Sequence, residues 1–395
     1  MSTATAARGK PARLRLVEPG ERAPRTRAER NDRVVTLLVG STAALTLLGL
    51  IMVLSASSVG AYRRFGSSFL FFNRQVLYAV VGSLAMAVTM RMHHRAWRRL
   101  CVPMLLVSVA LLALVLLPGF GTVAGGSARW IELGPVTIQP SEFAKLAVIA
   151  FGAALLSRRW ERIHDLRQLA LPLLPVVGVV CGLILLQPDL GTAIIVVASV
   201  FVLLLAAGAR MRHLLVGAAA TSTLGLGLIY VEGYRWSRFM SFLNPWADPQ
   251  GNGYQVIQSL IALTSGGVFG VGLGASRQKW QYVPNAHTDF IYSIIGEELG
   301  LVGMLLVLAL FGVLVYAGVR VALAAPDAFS RLLAAGIIGW IGAQTLINLG
   351  AVTGLLPITG VPLPFVSFGG SSLVVSLMAV GILASIARRG RAAGG

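Results

Sequence analysis

The stretch QYVPNAHTDFIYSIIGEELGLVGMLLVLALFGVLVYAGV (residues 281–319) joins a polar segment directly to an apolar one. Its second half is long enough to cross the hydrocarbon core of a bilayer as a helix, which takes about 20 residues. Its first half carries His287 and the carboxylates Asp289, Glu297 and Glu298. Charged groups beside a bilayer cost free energy and mark functional sites. The stretch therefore predicts a transmembrane helix with a functional site at its N-terminal end.

The composition of the whole chain points the same way. Of its 395 residues, 56% are hydrophobic and 12% are charged, and the mean hydropathy is +0.78. Soluble domains carry about 25% charged residues. The chain is therefore predicted to be an integral membrane protein. Its two cysteines, Cys101 and Cys181, lie in apolar runs and are too few for a disulfide framework or a metal site.

Apolar runs of spanning length recur along the chain. They are 34–56, 74–92, 100–118, 140–157, 168–187, 190–208, 213–231, 290–319, 332–352 and 369–387. We expect an all-α integral membrane protein of ten transmembrane helices (34–388), with a long extracytoplasmic loop (232–289) between the seventh and the eighth. Residues 254–273 of that loop predict an amphipathic helix at the membrane interface. Residues 1–33 and 389–395 are predicted to be cytoplasmic tails.

The net charge of +18 raises the question of nucleic acid, and its distribution argues against that partner. Nine of the Lys and Arg residues lie in the first 33 residues, among Pro, Ala and Gly. Such a segment buries too little apolar surface to fold, so we expect a disordered basic arm near anionic membrane lipid. With the N-terminus inside, the inner segments carry 24 Lys/Arg and the outer ones 8, so both termini are predicted to be cytoplasmic.

This orientation places the chemically distinctive loops outside. Asp289 opens the eighth span, where it is interpreted either as a helix N-cap or as a general base with a pKa raised by desolvation. His287 is interpreted as a residue that orients the loop or as a proton-transfer group. For Glu297 and Glu298, two turns further in, a structural hydrogen bond and a place in a substrate channel both stay open.

Two further outer segments carry candidate binding residues. Glu142 and Lys145, at i,i+3 spacing in QPSEFAKL, form either an ion pair or a cavity site for an anionic substrate. Upstream, Arg129 suits a phosphate, and Trp130 suits a sugar face or the lipid headgroup region. The segment PLPFVSFGGSS (362–372) combines prolines, a Gly-Gly pair and serines that lack the context of a catalytic triad. No phosphate-binding loop, dinucleotide fingerprint or metal-ligand spacing is present in the sequence.

Five motifs together resemble the SEDS family of bacterial membrane proteins (FtsW, RodA and SpoVE). They are GSARWIELGPVTIQPSEFAKL, QPDLGTA, NPWADPQGNGYQVIQSLIALTSGGVFGVGLG, VPNAHTDFIYSIIGEELG and GLLPITGVPLPFVSFGGSSL, in this order. The resemblance covers about 34–388. NPWADP and AHTDFIYSIIGEELG look more like the FtsW branch than the RodA branch. Many FtsW proteins carry a glutamate and a lysine where this chain has Asn285 and Thr359, so roles of those side chains do not carry over.

The resemblance implies a peptidoglycan glycosyltransferase that polymerises lipid II on the outer face with inversion at the anomeric carbon, in septal wall synthesis. The essential aspartate of the family falls at Asp289, which we expect to be the base, and our candidate cations for the leaving diphosphate are Arg129, Lys145 and Arg277. The resemblance also implies partners: a class B penicillin-binding transpeptidase and other divisome proteins. No cofactor in a protein cage is expected; a divalent cation (Mg²⁺ or Mn²⁺) carried by the diphosphate stays open. Further candidate substrate-binding residues are Trp130, Glu142, His287, Thr288, Ser367, Gly369, Gly370 and Ser371.

Other functions remain alternatives at this point. Ten spans with intramembrane charges also fit a transporter or flippase for lipid II. A RodA-like polymerase of cell elongation and a scaffold that recruits the transpeptidase are further readings. The clustering of polar groups on the outer side favours the polymerase over the flippase.

Overall fold

The computed structural model describes residues 27–124, 127–134, 136–158, 166–280, 282–284 and 286–389. The predicted tails therefore lie mostly outside the described residues, as does Asn285. The helices are α1 (Arg27–Phe65), α2 (Leu70–Arg91), α3 (His94–Val115), α4 (Pro140–Ser157), α5 (Leu166–Leu186), α6 (Leu190–Ala206), α7 (Met211–Val231), α8 (Gly233–Leu243), α9 (Tyr254–Ser265), α10 (Ile291–Ala324), α11 (Ala328–Val352) and α12 (Gly370–Arg389).

Eight of these helices are long and apolar enough to cross a membrane, which confirms a multi-pass membrane protein. They are α1, α2, α3, α4, α7, α10, α11 and α12. The predicted fifth and sixth spans correspond to two shorter apolar segments, Pro172–Leu186 and α6, so the count of ten stays a prediction. The first predicted span is part of a longer helix, because α1 already begins at Arg27, inside the segment expected to be disordered.

A small sheet departs from the all-α expectation. Strands β1 (Thr122–Ala124), β2 (Ser127–Leu133) and β3 (Val136–Ile138) pair antiparallel in the order β1-β2-β3. Their β-branched residues favour strands, and the glycines between them had favoured a loop. The sheet leads into Pro140, which occupies the first turn of α4, where its missing N–H costs nothing.

The core of the bundle lies around α12 and α4. In the apolar window of α12, 89% of the residues are buried within the protein, against 6% in α7. α12 packs against α2 and α1, and α4 packs against α3 and α11. The segment Leu355–Gly369 enters between these helices, and its Val361, Leu363 and Phe365 are buried. The segment 355–369 is thereby held in place by the most deeply buried part of the fold.

The eighth predicted span is broken near its outer end. α10 carries a non-helical residue at Gly300, with φ 67° and ψ −162°. The break frees the carbonyls of Glu297 and Glu298, which accept hydrogen bonds from Val271 N (2.9 Å) and Gly272 N (3.1 Å). The backbone after α9 thus takes over the hydrogen bonds that an unbroken helix would make within itself.

The segment 232–289, predicted as a long extracytoplasmic loop, contains α8, a 3₁₀ turn (Pro245–Ala247) and α9. The predicted amphipathic helix 254–273 is too long, because α9 ends at Ser265 and a run of turns follows. α9 buries Val256, Ile257, Ser259 and Ala262, and it packs against α10 and α11. It is therefore part of the helix packing rather than a helix lying free on the surface.

Candidate active site

Asp289 lies two residues before the start of α10. The N-cap position is occupied by Phe290, and no side chain caps the helix there. Within the described residues, no hydrogen bond to the Asp289 carboxylate is formed, while its main-chain carbonyl accepts one from Asn348 Nδ2 (2.8 Å). The helix-cap interpretation of this carboxylate is therefore wrong, and its oxygens remain open for other chemistry.

The surroundings of Asp289 shift its protonation. The residue is half-buried, and burial raises the pKa of the carboxyl to about 6. The charges of Arg238 and Arg129 oppose this rise, and the charge of Asp189 adds to it. A carboxyl whose pKa lies near neutrality is suited to accept and release a proton.

Asp289 is the point where segments distant in sequence meet. A Cβ placed on Gly360 would lie 3.6 Å from Asp289 Oδ2, so the turn around Gly360 closes beside the carboxylate. A Cβ on Gly191 would lie 2.6 Å from Thr359 O, so the start of α6 contacts the same turn. Arg129 lies on the sheet, Asp189 in the α5–α6 turn and Arg238 on α8, and the charges of all three act on Asp289. The site therefore combines these elements with the segment 355–369.

Arg129 holds the α5–α6 turn. Its Nε donates to Gln187 O (2.9 Å), and its Nη2 donates to Pro188 O. The next residue of that turn, Asp189, caps α6 by accepting from Thr192 N (3.1 Å) and Thr192 Oγ1 (2.8 Å). Part of the Arg129 guanidinium therefore serves the fold, while its charge also acts on Asp289. Its neighbour Trp130 is partly exposed on β2.

Two contributors to the site were missed by sequence reasoning. Arg238 lies in α8, within the segment 232–289 that was predicted as a loop, and Asp189 lies at the N-cap of α6; neither was among the candidate site residues. The signal for Arg238 was available: GYRWSRFMSFL places its basic and apolar residues at helical spacing.

His287 is packed between aromatic rings. Its ring lies 4.7 Å from that of Phe71 and 5.6 Å from that of Phe368, measured between centroids. Its carbonyl accepts from Phe368 N (2.9 Å). Burial lowers the pKa of the imidazole to about 4, so the ring is neutral near pH 7. This geometry favours orientation of the loop over proton transfer.

The serine and glycine candidates of the C-terminal motif bond to the protein itself. Ser367 Oγ donates to Thr288 O (2.6 Å) and accepts from Leu363 N (2.9 Å). Gly369 N donates to Gln75 Oε1 (3.4 Å), and a Cβ on Gly370 would overlap the Tyr78 ring. In this conformation the motif positions the segment before Asp289.

Ser371 ties the start of α12 to the sheet. Its Oγ accepts from Gln139 N (2.9 Å) and donates to Thr137 O (3.1 Å). Thr137 N in turn donates to Tyr78 Oη (3.0 Å). The predicted role of Ser371 in substrate binding stays a prediction, and its observed partners are structural.

Glu142 and Lys145 form an ion pair inside the bundle. Lys145 Nζ donates to Glu142 Oε1 (2.9 Å) and to Gln344 Oε1 (2.9 Å), and it lies 5.0 Å from the Trp340 ring centre. The side chains are 1% and 2% exposed. The geometry supports the ion-pair interpretation, because both charges are buried and bonded to each other.

Glu297 and Glu298 bind the segment that follows α9. Glu297 accepts from Arg277 N (2.9 Å) and from the Ser276 hydroxyl, and Glu298 accepts from Ser55 Oγ (2.6 Å). Lys279 Nζ lies 3.9 Å from Glu298 Oε1. Both glutamates therefore take the structural role that was one of their two alternatives. The Arg277 side chain is exposed, whereas its main-chain N–H bonds Glu297. Within the described ranges, no group of three or more His, Cys, Asp or Glu is placed to hold a metal ion.

The match to known proteins covers nearly the whole chain. Residues 35–392 match the FtsW, RodA and SpoVE family model, described as "Cell cycle protein". The chain is 47% identical over 355 residues to the Stage V sporulation protein E of Bacillus subtilis, covering 90% of this chain and 97% of that one. It is 44% identical over 361 residues to a Geobacter metallireducens protein named probable peptidoglycan glycosyltransferase FtsW, covering 91% and 96%.

Solved structures agree with the sequence match. One belongs to a peptidoglycan synthase complex, described as coordinating polymerization and crosslinking; it has a TM-score of 0.73 and 35% identity over 90% of this chain and 97% of that one. The other is the rod shape determining protein RodA of Thermus thermophilus, with a TM-score of 0.65 and 32% identity over 89% and 96%. The chain therefore belongs to the FtsW, RodA and SpoVE family of membrane proteins.

Proposed function

We propose that the protein is a peptidoglycan glycosyltransferase that polymerises lipid II on the outer face of the membrane. The observation that carries this proposal is the Asp289 carboxyl, which is half-buried, free of hydrogen bonds from the described residues, and shifted toward a neutral pKa. The names of relatives that share 44% identity over nearly their full length support the reaction class.

The reaction is a single displacement. The 4-hydroxyl of the acceptor GlcNAc attacks the anomeric carbon of the donor, the bond from that carbon to the diphosphate breaks, and the configuration inverts from α to β. Asp289 takes the hydroxyl proton as the new C–O bond forms, because a sugar hydroxyl is too weak an acid to ionise first. The departing diphosphate gains negative charge, and cations near it lower the barrier.

Three arginines serve as candidate partners of the diphosphate. Arg129 and Arg238 both act electrostatically on Asp289, and Arg277 is exposed on the outer loop. Arginine suits this task because its planar guanidinium bonds two phosphate oxygens at once. A role for Lys145 stays a prediction, and its burial against Glu142 argues for a structural one. A divalent cation carried by the diphosphate, rather than by a protein cage, also stays a prediction.

We further propose ten transmembrane helices with both termini in the cytoplasm and residues 232–289 outside. The excess of Lys and Arg on one side supports this topology. Labelling of single cysteines in intact cells tests it: a cysteine at Gln250 should react with a membrane-impermeant reagent, and one at Thr5 should not. The opposite pattern would place the Asp289 site inside the cell and remove the proposed reaction.

Partners and cellular role follow the FtsW branch. Relatives named FtsW, and a similar solved chain from a complex that couples polymerization to crosslinking, support a class B transpeptidase as partner at the division septum. The identity of 47% to a sporulation protein and of 32% to RodA keeps those roles as the alternatives.

The deciding experiment is polymerisation of labelled lipid II by the purified protein, with and without its transpeptidase. Glycan strands that depend on the protein would support the proposal. If lipid II crossed vesicle membranes without being polymerised, the flippase alternative would replace it. The ion pair Glu142–Lys145 gives no separate support to transport, since its charges neutralise each other.

A further inference from the structure

An open cleft of about 460 Å³ lies at the start of α3, at the opposite end of the bundle from Asp289 by the proposed topology. It is lined by His93, Arg95, Ala96, Arg99 and Leu100. Arg95 and Arg99 are exposed, so their charged ends are available to a ligand. The positive end of the α3 dipole adds to this charge, although His93 already caps the helix by accepting from Arg95 N (3.1 Å) through Nδ1. The cleft is therefore suited to an anion.

Two nitrogen donors at the same junction lack partners. Trp97, 4% exposed, has a buried Nε1 without a hydrogen bond from any described residue. The same is true of Arg389 Nη1, whereas Arg389 Nη2 donates to Arg91 O (3.0 Å). Arg389 acts electrostatically on His93, which places α12 beside the cleft. Unsatisfied buried donors are uncommon, but neither Trp97 nor Arg389 lines the cleft, so the candidate phosphate ligands are Arg95 and Arg99.

The carboxylate nearest this junction is already engaged. Asp327 Oδ2 lies 3.3 Å from His94 Nε2, and its two oxygens accept from Ser330 N (3.0 Å) and Ser330 Oγ (2.8 Å). Asp327 therefore satisfies His94 and the start of α11. The positive charge of Arg95 and Arg99 is left without a carboxylate partner among the described residues of α2, α3, α11 and α12.

The cationic cleft continues into an apolar stripe on the same helix. Arg95, Arg99, Val102 and Leu106 follow one another at spacings of four, three and four residues, which places them on one face of α3. Val102 is 47% exposed and Leu106 is 63% exposed within the bilayer span. A cationic head followed by an exposed apolar track matches a phospholipid, with its phosphate at the arginines and an acyl chain along the stripe. A free phosphate would use the first part alone.

We propose that this cleft is a binding site for the phosphate group of an anionic phospholipid in the leaflet that faces it. Arg95 and Arg99 bond the phosphate oxygens, and Val102 and Leu106 contact the acyl chain. The site does not involve Asp289 and does not depend on the proposed glycosyltransferase activity.

The test measures lipid binding to the delipidated, full-length protein by native mass spectrometry. The probes are phosphatidylglycerol, phosphatidylcholine and inorganic phosphate. The lining variant is Arg95→Gln/Arg99→Gln. The matched control is Arg98→Gln/Arg210→Gln, which removes the same charge from exposed arginines on the same side that do not line the cleft. Circular dichroism checks that both variants are folded.

The expected result is tighter binding of phosphatidylglycerol than of phosphatidylcholine, with roughly a tenfold loss in the lining variant and less than about a twofold change in the control. Equal losses in both variants would show general attraction to basic residues and would overturn the site. Competition by inorganic phosphate with no preference for phosphatidylglycerol would assign the cleft to a soluble phosphate and overturn the lipid.

Discussion

The side-chain amide of Asn348 donates a hydrogen bond of 2.8 Å to the main-chain carbonyl of Asp289. The same Nδ2 donates a second bond of 2.8 Å to Val361 O. One turn earlier on α11, Gln344 bonds Lys145 and Pro362 O. The single helix α11 therefore holds both segments that meet at the Asp289 carboxylate: the one that carries Asp289 and the one around Val361 and Pro362.

Asn348→Ala should loosen this arrangement. The change leaves the buried carbonyl of Val361 and the partly buried carbonyl of Asp289 without their donor, and an unsatisfied buried group costs about 1–3 kcal/mol. We expect a lower melting temperature in detergent together with a lower polymerisation rate. Ser376→Ala is the control, because the Ser376 hydroxyl is buried without a partner among the described residues and should be lost at little cost. Equal effects of the two changes would remove the special role of Asn348.

Gly300→Ala should be poorly tolerated. The residue has φ 67°, and a Cβ there would come within 2.5 Å of Val268 O and would also overlap Gly270 N. The change forces apart the contact that satisfies the broken helix. We expect a loss of most folded protein from the membrane. Gly312→Ala, in the same helix with nothing within 4 Å of the added group, should leave abundance unchanged. Normal abundance of Gly300→Ala would contradict the broken-helix account.

The buried ion pair predicts a reciprocal rescue. Lys145→Met alone leaves the Glu142 charge buried and unpaired, which costs about 3–5 kcal/mol, so abundance should fall. Glu142→Leu/Lys145→Met removes both charges and should restore abundance. Polymerisation by the double variant separates the two interpretations. Restored activity would exclude substrate binding by Lys145, and an abundant but inactive double variant would contradict a purely structural role.

The pH dependence of the reaction should follow Asp289. As a base it must be ionised, so activity should rise with pH through about 6. An inflection there cannot be assigned to His287, whose pKa is lowered to about 4. For folding the sign is opposite: the raised pKa of Asp289 stabilises the fold below the ordinary value of 3.8, and this contribution is lost as the pH rises through about 6. An activity profile flat between pH 5 and 7 would contradict the assignment.

The long apolar helices were predictable because hydropathy is a local signal, whereas the count of ten spans and the outer position of Asp289 stay predictions. Pro140 marked the start of α4 correctly, and α10 begins one residue after the predicted boundary. The sheet was not predicted, because its short strands are separated by glycines, which are typical of a loop. The break at Gly300 was missed, since an apolar run does not reveal a positive φ.

The residues of the candidate site could be named from the sequence only in part. Asp289 and Arg129 stood out by residue type and position, whereas their shared surroundings depend on contacts between distant segments. Asn348 was overlooked although a signal existed: Gln344 and Asn348 are amides one turn apart in an otherwise apolar helix. Polar groups at that spacing in a membrane span indicate buried hydrogen bonds.

Lipid II polymerisation by the purified Asp289→Asn variant tests the central claim most directly. Asparagine keeps the size of the side chain and leaves the main-chain bond to Asn348 in place, while it removes the basicity. We predict a folded protein of normal abundance that still binds its transpeptidase, with a rate lowered by roughly 10²–10⁴. A rate near that of the unchanged protein would contradict the account, because Asp289 would then not be the base.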